Sequence, residues 1–183
     1  MFVHQVDEEV SLKLVDLGDA EELFQLTDRS RDHLRTWLPW LDHTKELKDT
    51  ENYIKFSKKA YANHEGMNTV VLYNGKTAGV VGFNELDWTN RIAYIGYWLG
   101  VDFTGKGIMT RAAGALTDYA IRDLGMNKVD ITAAEHNRGS RSIPERLGFT
   151  EEGKIRSREW LYDHYVDHIV YGMLKEEWEK LIR

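Results

Sequence analysis

Gly100, Gly105 and Gly107 lie close together in "WLGVDFTGKGIMT", residues 98–110, between a segment that reads as a strand and one that reads as a helix. A glycine turn in that place lets backbone N–H groups approach an anion, and the helix behind it adds about half a positive charge at its N-terminus. Lys106 sets a cation beside them. Metal-free binding of a pyrophosphate is the chemistry such a turn offers, the alternative being a left-handed turn that needs glycine for steric reasons alone. Two stricter phosphate motifs fail. A dinucleotide fingerprint would need glycine where Thr110 stands, and a P-loop, satisfied by Gly100, Gly105 and Lys106, would need a magnesium-binding hydroxyl where Gly107 stands. A P-loop also belongs after a parallel strand, whereas the strand here closes an antiparallel meander.

Other residues have chemistry to offer, each with a plainer use. Asn137 and Ser140 in "NRGS" suit a turn and helix cap. Glu159 in "SREWLY" suits a solvated or ion-paired strand position beside Arg156 and Arg158, and Glu85 a surface salt bridge. Trp37 and Trp40 crowd into "RTWLPWL", while Trp88, Trp160 and Tyr162 fall on turns or late strands. Such aromatics serve a core more often than a site. His164 and His168 in "DHYVDH" would share one face of a strand about 13 Å apart, too far for a single ion without other ligands. No metal is expected.

The elements that would position these residues follow from periodicity. Residues 10–15 alternate as a first strand, and "GDAEELFQLTDRSRDHLRTWL" opens a helix with Asp19 as N-cap and Glu22 three residues later. A second helix follows Thr50, carries Tyr53, Ile54, Phe56, Ala60 and Tyr61 near helical spacing, and ends before Gly66. "NTVVLY", Asn74-Gly75 and "KTAGVVGFNELD" form a hairpin on a type I′ turn, and "RIAYIGYWLG" returns after "DWTN". Ile108, Ala112, Leu116, Tyr119 and Leu124 mark a helical face closed by Gly125. "KVDITAA" is a fifth strand, "SRSIPERLG" a short helix, "FTEEGKIRSREWLYDHYVDHIVYGML" two long strands, and "KEEWEKLIR" a closing helix. This is an α+β, mixed-sheet pattern.

Composition narrows the classes. The chain has 183 residues, a formal charge of −6, no Cys and only two prolines. One domain over 1–183 can bury about 70% of its unfolded surface. Without Cys there is no disulfide, thiolate metal site or cysteine nucleophile. No apolar run approaches a membrane span, and "MFVHQVDEEV" lacks the pattern of a signal peptide, so the expected location is cytoplasmic. The acidic balance argues mildly against nucleic acid as a partner.

"YIGYWLGVDFTGKGIMTRAAGAL" resembles motif A of the GNAT superfamily of N-acetyltransferases. With "GFNELD", "NRGSRSIPERLGF" and "EGKIRSREWLYDHYVDHIVYGML", the chain is more narrowly similar to the ribosomal-protein serine and alanine N-acetyltransferases over nearly its whole length. The resemblance implies a GNAT fold, with a mostly antiparallel seven-stranded sheet splayed between its fourth and fifth strands. It implies direct transfer of acetyl from acetyl-CoA to an amine, without a metal. It implies cofactor contacts at Leu99, Val101, Gly105, Lys106, Gly107, Ile108, Met109, Thr110 and Asn137, a hydrogen bond from Ser140 to the departing sulfur, and Glu159 as base, with Glu85 in reserve. Trp37, Trp40, Glu85, Trp160 and Tyr162 would border the acceptor, which the resemblance implies is a protein N-terminus, ribosomal and starting with Ser or Ala. A small amine such as a polyamine or antibiotic, or a silent CoA-binding interaction module, stays open. Exposed late-strand aromatics leave a homodimer open too. Thr104 and Met109 depart from the superfamily pattern at the loop, and Pro144 stands where a helix would donate N–H groups.

Overall fold

Residues 3–182 are described by a computed structural model. Its strands are β1 (Val3–Gln5), β2 (Val10–Leu14), β3 (Met67–Tyr73), β4 (Lys76–Asp87), β5 (Ile92–Leu99), β6 (Lys128–Ala134), β7 (Thr150–Leu161) and β8 (His164–Leu174). Its helices are α1 (Ala20–Arg29), α2 (Arg31–Arg35), α3 (Leu47–Ala62), α4 (Ile108–Arg122), α5 (Arg138–Arg146) and α6 (Lys175–Leu181). The strands form one sheet in the order β1-β2-β3-β4-β5-β6-β8-β7, antiparallel except where β5 meets β6. The mixed α/β expectation holds with eight strands rather than seven. The additional one, β1, is three exposed residues without apolar alternation, recruited by pairing with β2.

Apolar alternation assigns the two faces. Val70 and Val80 pack with Leu23 of α1 and Ile54 of α3, while Val71 and Val81 join the larger cluster under α4. The Asn-Gly hairpin forms as expected, with Asn74 at φ 48° and Gly75 at φ 75°.

Local details differ from expectation in the N-terminal helices, where the single helix expected over residues 18–38 divides at Ser30 into α1 and α2. Asp19 and Glu22 do not make a capping box: Asp19 accepts the Asp16 N–H and pairs with Lys13, and Glu22 accepts the Thr77 hydroxyl. α3 starts at Leu47, because Asp49 reaches back to accept the N–H groups of Lys45 and Glu46 at 2.8 and 3.0 Å. It ends at Ala62, and the left-handed residue beyond it is His64, not Gly66. Phe56 faces outward, 73% exposed, Tyr53 and Tyr61 are only partly exposed, and Ile54 is the helix's buried apolar residue.

The feature that matters for function is the gap between β5 and β6. They pair in parallel from Ile92–Lys128 to Ile95–Ile131 and then part. β4 carries a bulge between Phe83 and Glu85, which brings Asn84 across β5 at Gly96, where any Cβ would collide with its amide. Gly100 N–H donates to Ala78 O at 2.9 Å, so even-numbered residues at the end of β5 bond β4. By alternation, Tyr97 and Leu99 turn their main-chain groups toward the gap.

Candidate active site

Two cavities meet in the gap. One, of about 820 Å³, runs from the glycine turn to α5; the other, of about 750 Å³, lies between α3, the "TWLPW" segment and the last hairpin. Trp37, Leu38, Tyr97, Trp98, Asn137 and Ser140 line both. Ser140 therefore stands at the junction.

The larger cavity is shaped for an anion. Gly105 at φ 74° and Gly107 at φ 68° curl the chain, and Gly107 occupies the N-cap of α4. Main-chain N–H groups of residues 105 to 110 find no acceptor among the described residues, and the first intrahelical bond is Arg111 N–H to Gly107 O. Arg111 and Arg146 line this cavity and no carboxylate does. The Arg111 guanidinium donates to Lys106 O at 3.4 Å and pairs with Asp7 and Glu9, tying the turn to the β1–β2 connection. Ile108 and Met109 bury their side chains in the core, leaving only their N–H groups to the cavity. That accounts for Met109 in place of a small residue. The Thr104 hydroxyl donates to Val101 O at 2.9 Å, closing the turn rather than presenting a long donor. The strand before this turn is parallel to β6, so the topological objection to a P-loop is weaker than the sequence suggested. The missing hydroxyl at Gly107 remains.

Not every expected contact reaches this cavity. Leu99 lines it, but Val101 donates its N–H to Ser30 Oγ at 3.1 Å. Lys106 turns away to donate to Asp102 O at 2.9 Å. Arg146, His33 and Tyr97 also line this cavity, and nothing local to them in the sequence marks their approach.

Asn137 caps α5 by accepting the Ser140 N–H at 3.1 Å, the plain use its sequence suggests, and it still lines both cavities. α5 starts cleanly at Arg138, and Pro144 sits in its interior.

The second cavity has the opposite charge character. Asp49 and Glu159 line it, with His43 and His168, and no Lys or Arg. N–H groups of Lys45 and Glu46 hold the Asp49 carboxyl below its usual range, so it stays ionised. Glu159 lies just past a bulge in β7 pinned by Ser157 N–H donating to Asp167 at 2.8 Å, and its carboxylate sits 3.3 Å from His168 Nε2. His164 bonds Asp163 instead, and no cluster of three metal-ligating side chains occurs among the described residues.

Aromatic candidates separate here. Trp37 and Trp40 form the wall, Trp40 packing on Trp98 at 6.0 Å. Tyr162 lies outside the cavity but supports that wall: its hydroxyl donates to Leu38 O and its ring takes the Arg35 guanidinium at 3.7 Å. Trp160 lines neither cavity and stacks edge-on with Tyr165 at 4.8 Å in the open. Glu85 also lines neither, because the β4 bulge turns Leu86 into the core and leaves Glu85 exposed.

The family profile described as an acetyltransferase (GNAT) domain matches residues 10–150. The chain belongs to the GNAT acetyltransferases. This N-acetyltransferase is 38% identical over 181 residues to the Bacillus subtilis (strain 168) protein named "Putative ribosomal N-acetyltransferase YdaF", covering 98% of each. Among solved structures it is similar to RimL, described as a ribosomal L7/L12 alpha-N-protein acetyltransferase in complex with coenzyme A. The TM-score is 0.92 at 25% identity, over 96% of this chain and 99% of that one. It is also similar to the microcin C7 self immunity acetyltransferase MccE in complex with acetyl-CoA and AMP. There the TM-score is 0.88 at 32% identity, over 92% and 94% of the two chains.

Proposed function

We propose that this acetyltransferase carries acetyl from acetyl-CoA directly to the N-terminal α-amine of a protein, a ribosomal protein starting with Ser or Ala being the favoured acceptor. The observation that carries the reading is the meeting of two cavities of opposite charge character at Ser140. Two sets of relatives support it: RimL and MccE are described with coenzyme A and acetyl-CoA, and RimL and YdaF are ribosomal acetyltransferases by name.

The fit to the donor rests on the cationic cavity and on the unpaired N–H groups of residues 105 to 110, which suit a diphosphate without a metal. Arg146 adds positive charge there, while Arg111, paired with Asp7 and Glu9, braces the turn. Leu99 and Tyr97 offer main-chain groups to the amides of the arm and to the acyl oxygen, and Asn137 borders its end. The thioester supplies an activated acyl carbon and a leaving thiolate whose thiol has a pKa of about 8.5.

The chain's own residues then divide the proton work. Glu159 takes one proton from the acceptor ammonium, directly or through water, and passes it to solvent. The freed nitrogen bonds the acyl carbon as the carbon–sulfur bond breaks, and Ser140 donates a hydrogen bond to the sulfur. The second nitrogen proton ends on that sulfur, by way of the Ser140 hydroxyl. An α-amine near pKa 7.8 suits this machinery better than a lysine near 10.4, which is about 3.5 kcal/mol harder to deprotonate. Trp37 and Trp40 would border the acceptor chain, with Tyr162 holding their segment in place. The reading places the protein with ribosomes in the cytoplasm.

An acceptor panel tests this with acetyl-CoA and five acceptors: Ser- and Ala-starting ribosomal peptides, an N-blocked lysine peptide, spermidine and an aminoacyl nucleotide. AMP serves as a competitor, since a relative holds it. Turnover of the free α-amine peptides should exceed that of the lysine peptide and spermidine by about a hundredfold or more. Turnover confined to spermidine or the nucleotide would transfer the acceptor assignment to a small molecule, and turnover of none would leave a coenzyme-binding module.

A further inference from the structure

α5 has a defect at the position that matters to Ser140. In a regular helix the N–H of residue 144 donates to the carbonyl of residue 140, and Pro144 has no N–H to give. The orphaned carbonyl is not left bare. Tyr97, on the far side of the gap, donates its hydroxyl to Ser140 O at 2.9 Å. The other main-chain group of Ser140, its N–H, is taken by Asn137 Oδ1 at 3.1 Å. Both main-chain groups of Ser140 are thus held by side chains rather than by the helix ladder. Arg141 secures the next residue through Glu135 O and the Tyr171 hydroxyl.

We infer that Tyr97 is the positioning residue of Ser140, its phenol standing in for the backbone donor that Pro144 removes. The inference rests on the reading of Ser140 as the group that meets the departing sulfur. Tyr97 belongs to β5, whose end lines the donor cavity, so one contact fixes Ser140 relative to the strand that would hold the donor arm. Burial pushes the Tyr97 phenol far above its ordinary range, so it remains a donor wherever the enzyme is assayed. A phenylalanine would fill the same space and lose only the donor.

Kinetic cycles over Tyr97→Phe, Pro144→Ala and Ser140→Ala test this. Tyr97→Phe should lower kcat about tenfold while changing the KM for acetyl-CoA less than about twofold, the cost of one buried acceptor left unmade. In the Pro144→Ala background the same substitution should cost less than about twofold, because the restored N–H at position 144 reaches Ser140 O. In the Ser140→Ala background it should add nothing. Urea midpoints measured over the Tyr97 and Pro144 cycle should show the same coupling without reference to turnover. A full Tyr97→Phe penalty in both backgrounds, or none in the wild-type chain while Ser140→Ala is impaired, overturns the inference alone. Wild-type kcat in Ser140→Ala overturns the reading of Ser140 and the inference with it.

Discussion

Glu159→Gln lowers kcat about a hundredfold at pH 7 with an α-amine peptide, the lower end of what a positioned base contributes. The amide keeps the shape and the contact with His168 but cannot hold a proton, so the acceptor must reach the site already neutral. That sets the pH dependence. An amine with pKa about 7.8 is mostly protonated at pH 7 and mostly neutral at pH 9, so the deficit of the variant should shrink as pH rises through that range. Ser140→Ala behaves differently. Its deficit, about tenfold or more for one lost hydrogen bond to a developing thiolate, should persist across the same range, because raising pH does nothing for the carbon–sulfur bond. Steady-state rates from pH 6.5 to 9.5 distinguish the two roles. Parallel profiles for the two variants would mean that they do not divide nitrogen and sulfur as stated.

Gly107→Val raises the Kd for coenzyme A about a hundredfold. A β-branched residue at φ 68° is strained by about 1–2 kcal/mol, and relief of that strain would swing the first N–H groups of α4 out of line. Losing one charge-assisted hydrogen bond to a diphosphate accounts for the remainder. Nothing lies within 4 Å of the position a Cβ would take, so the effect comes from backbone conformation and access rather than from a clash with the core. Calorimetry should show the loss for coenzyme A and not for pantetheine, which lacks the diphosphate. Equal losses for both would place the damage elsewhere.

Sequence and structure agree most where a residue's role is local. Glycines at 105 and 107, the cap at Asn137 and the Asn74-Gly75 hairpin depend on a few neighbouring residues, and the spacing shows them. Glu159 and Ser140 could be placed by resemblance, and Glu159 lines the acidic cavity while Ser140 lines both. Residues acting across the fold leave no such mark. Tyr97 reads as one more strand aromatic until Pro144 is seen opposite it, and His168 reads as half of a poor metal pair until β7 brings Glu159 to it. Glu85 shows the converse: alternation counted through "GFNELD" misses the bulge that slips the register by one residue, and Asn84 takes the place at the gap. Likewise β1 is a strand only by partnership with β2.

The central claim is that main-chain nitrogens of residues 105 to 110 hold the donor's diphosphate. Crystals grown with coenzyme A address it directly, since the phosphate oxygens can be located one by one. They should lie about 2.7–3.2 Å from those nitrogens, with the thiol end of the arm pointing at the Ser140 hydroxyl. A diphosphate held by side chains elsewhere, with the glycine turn facing only solvent, would contradict the account.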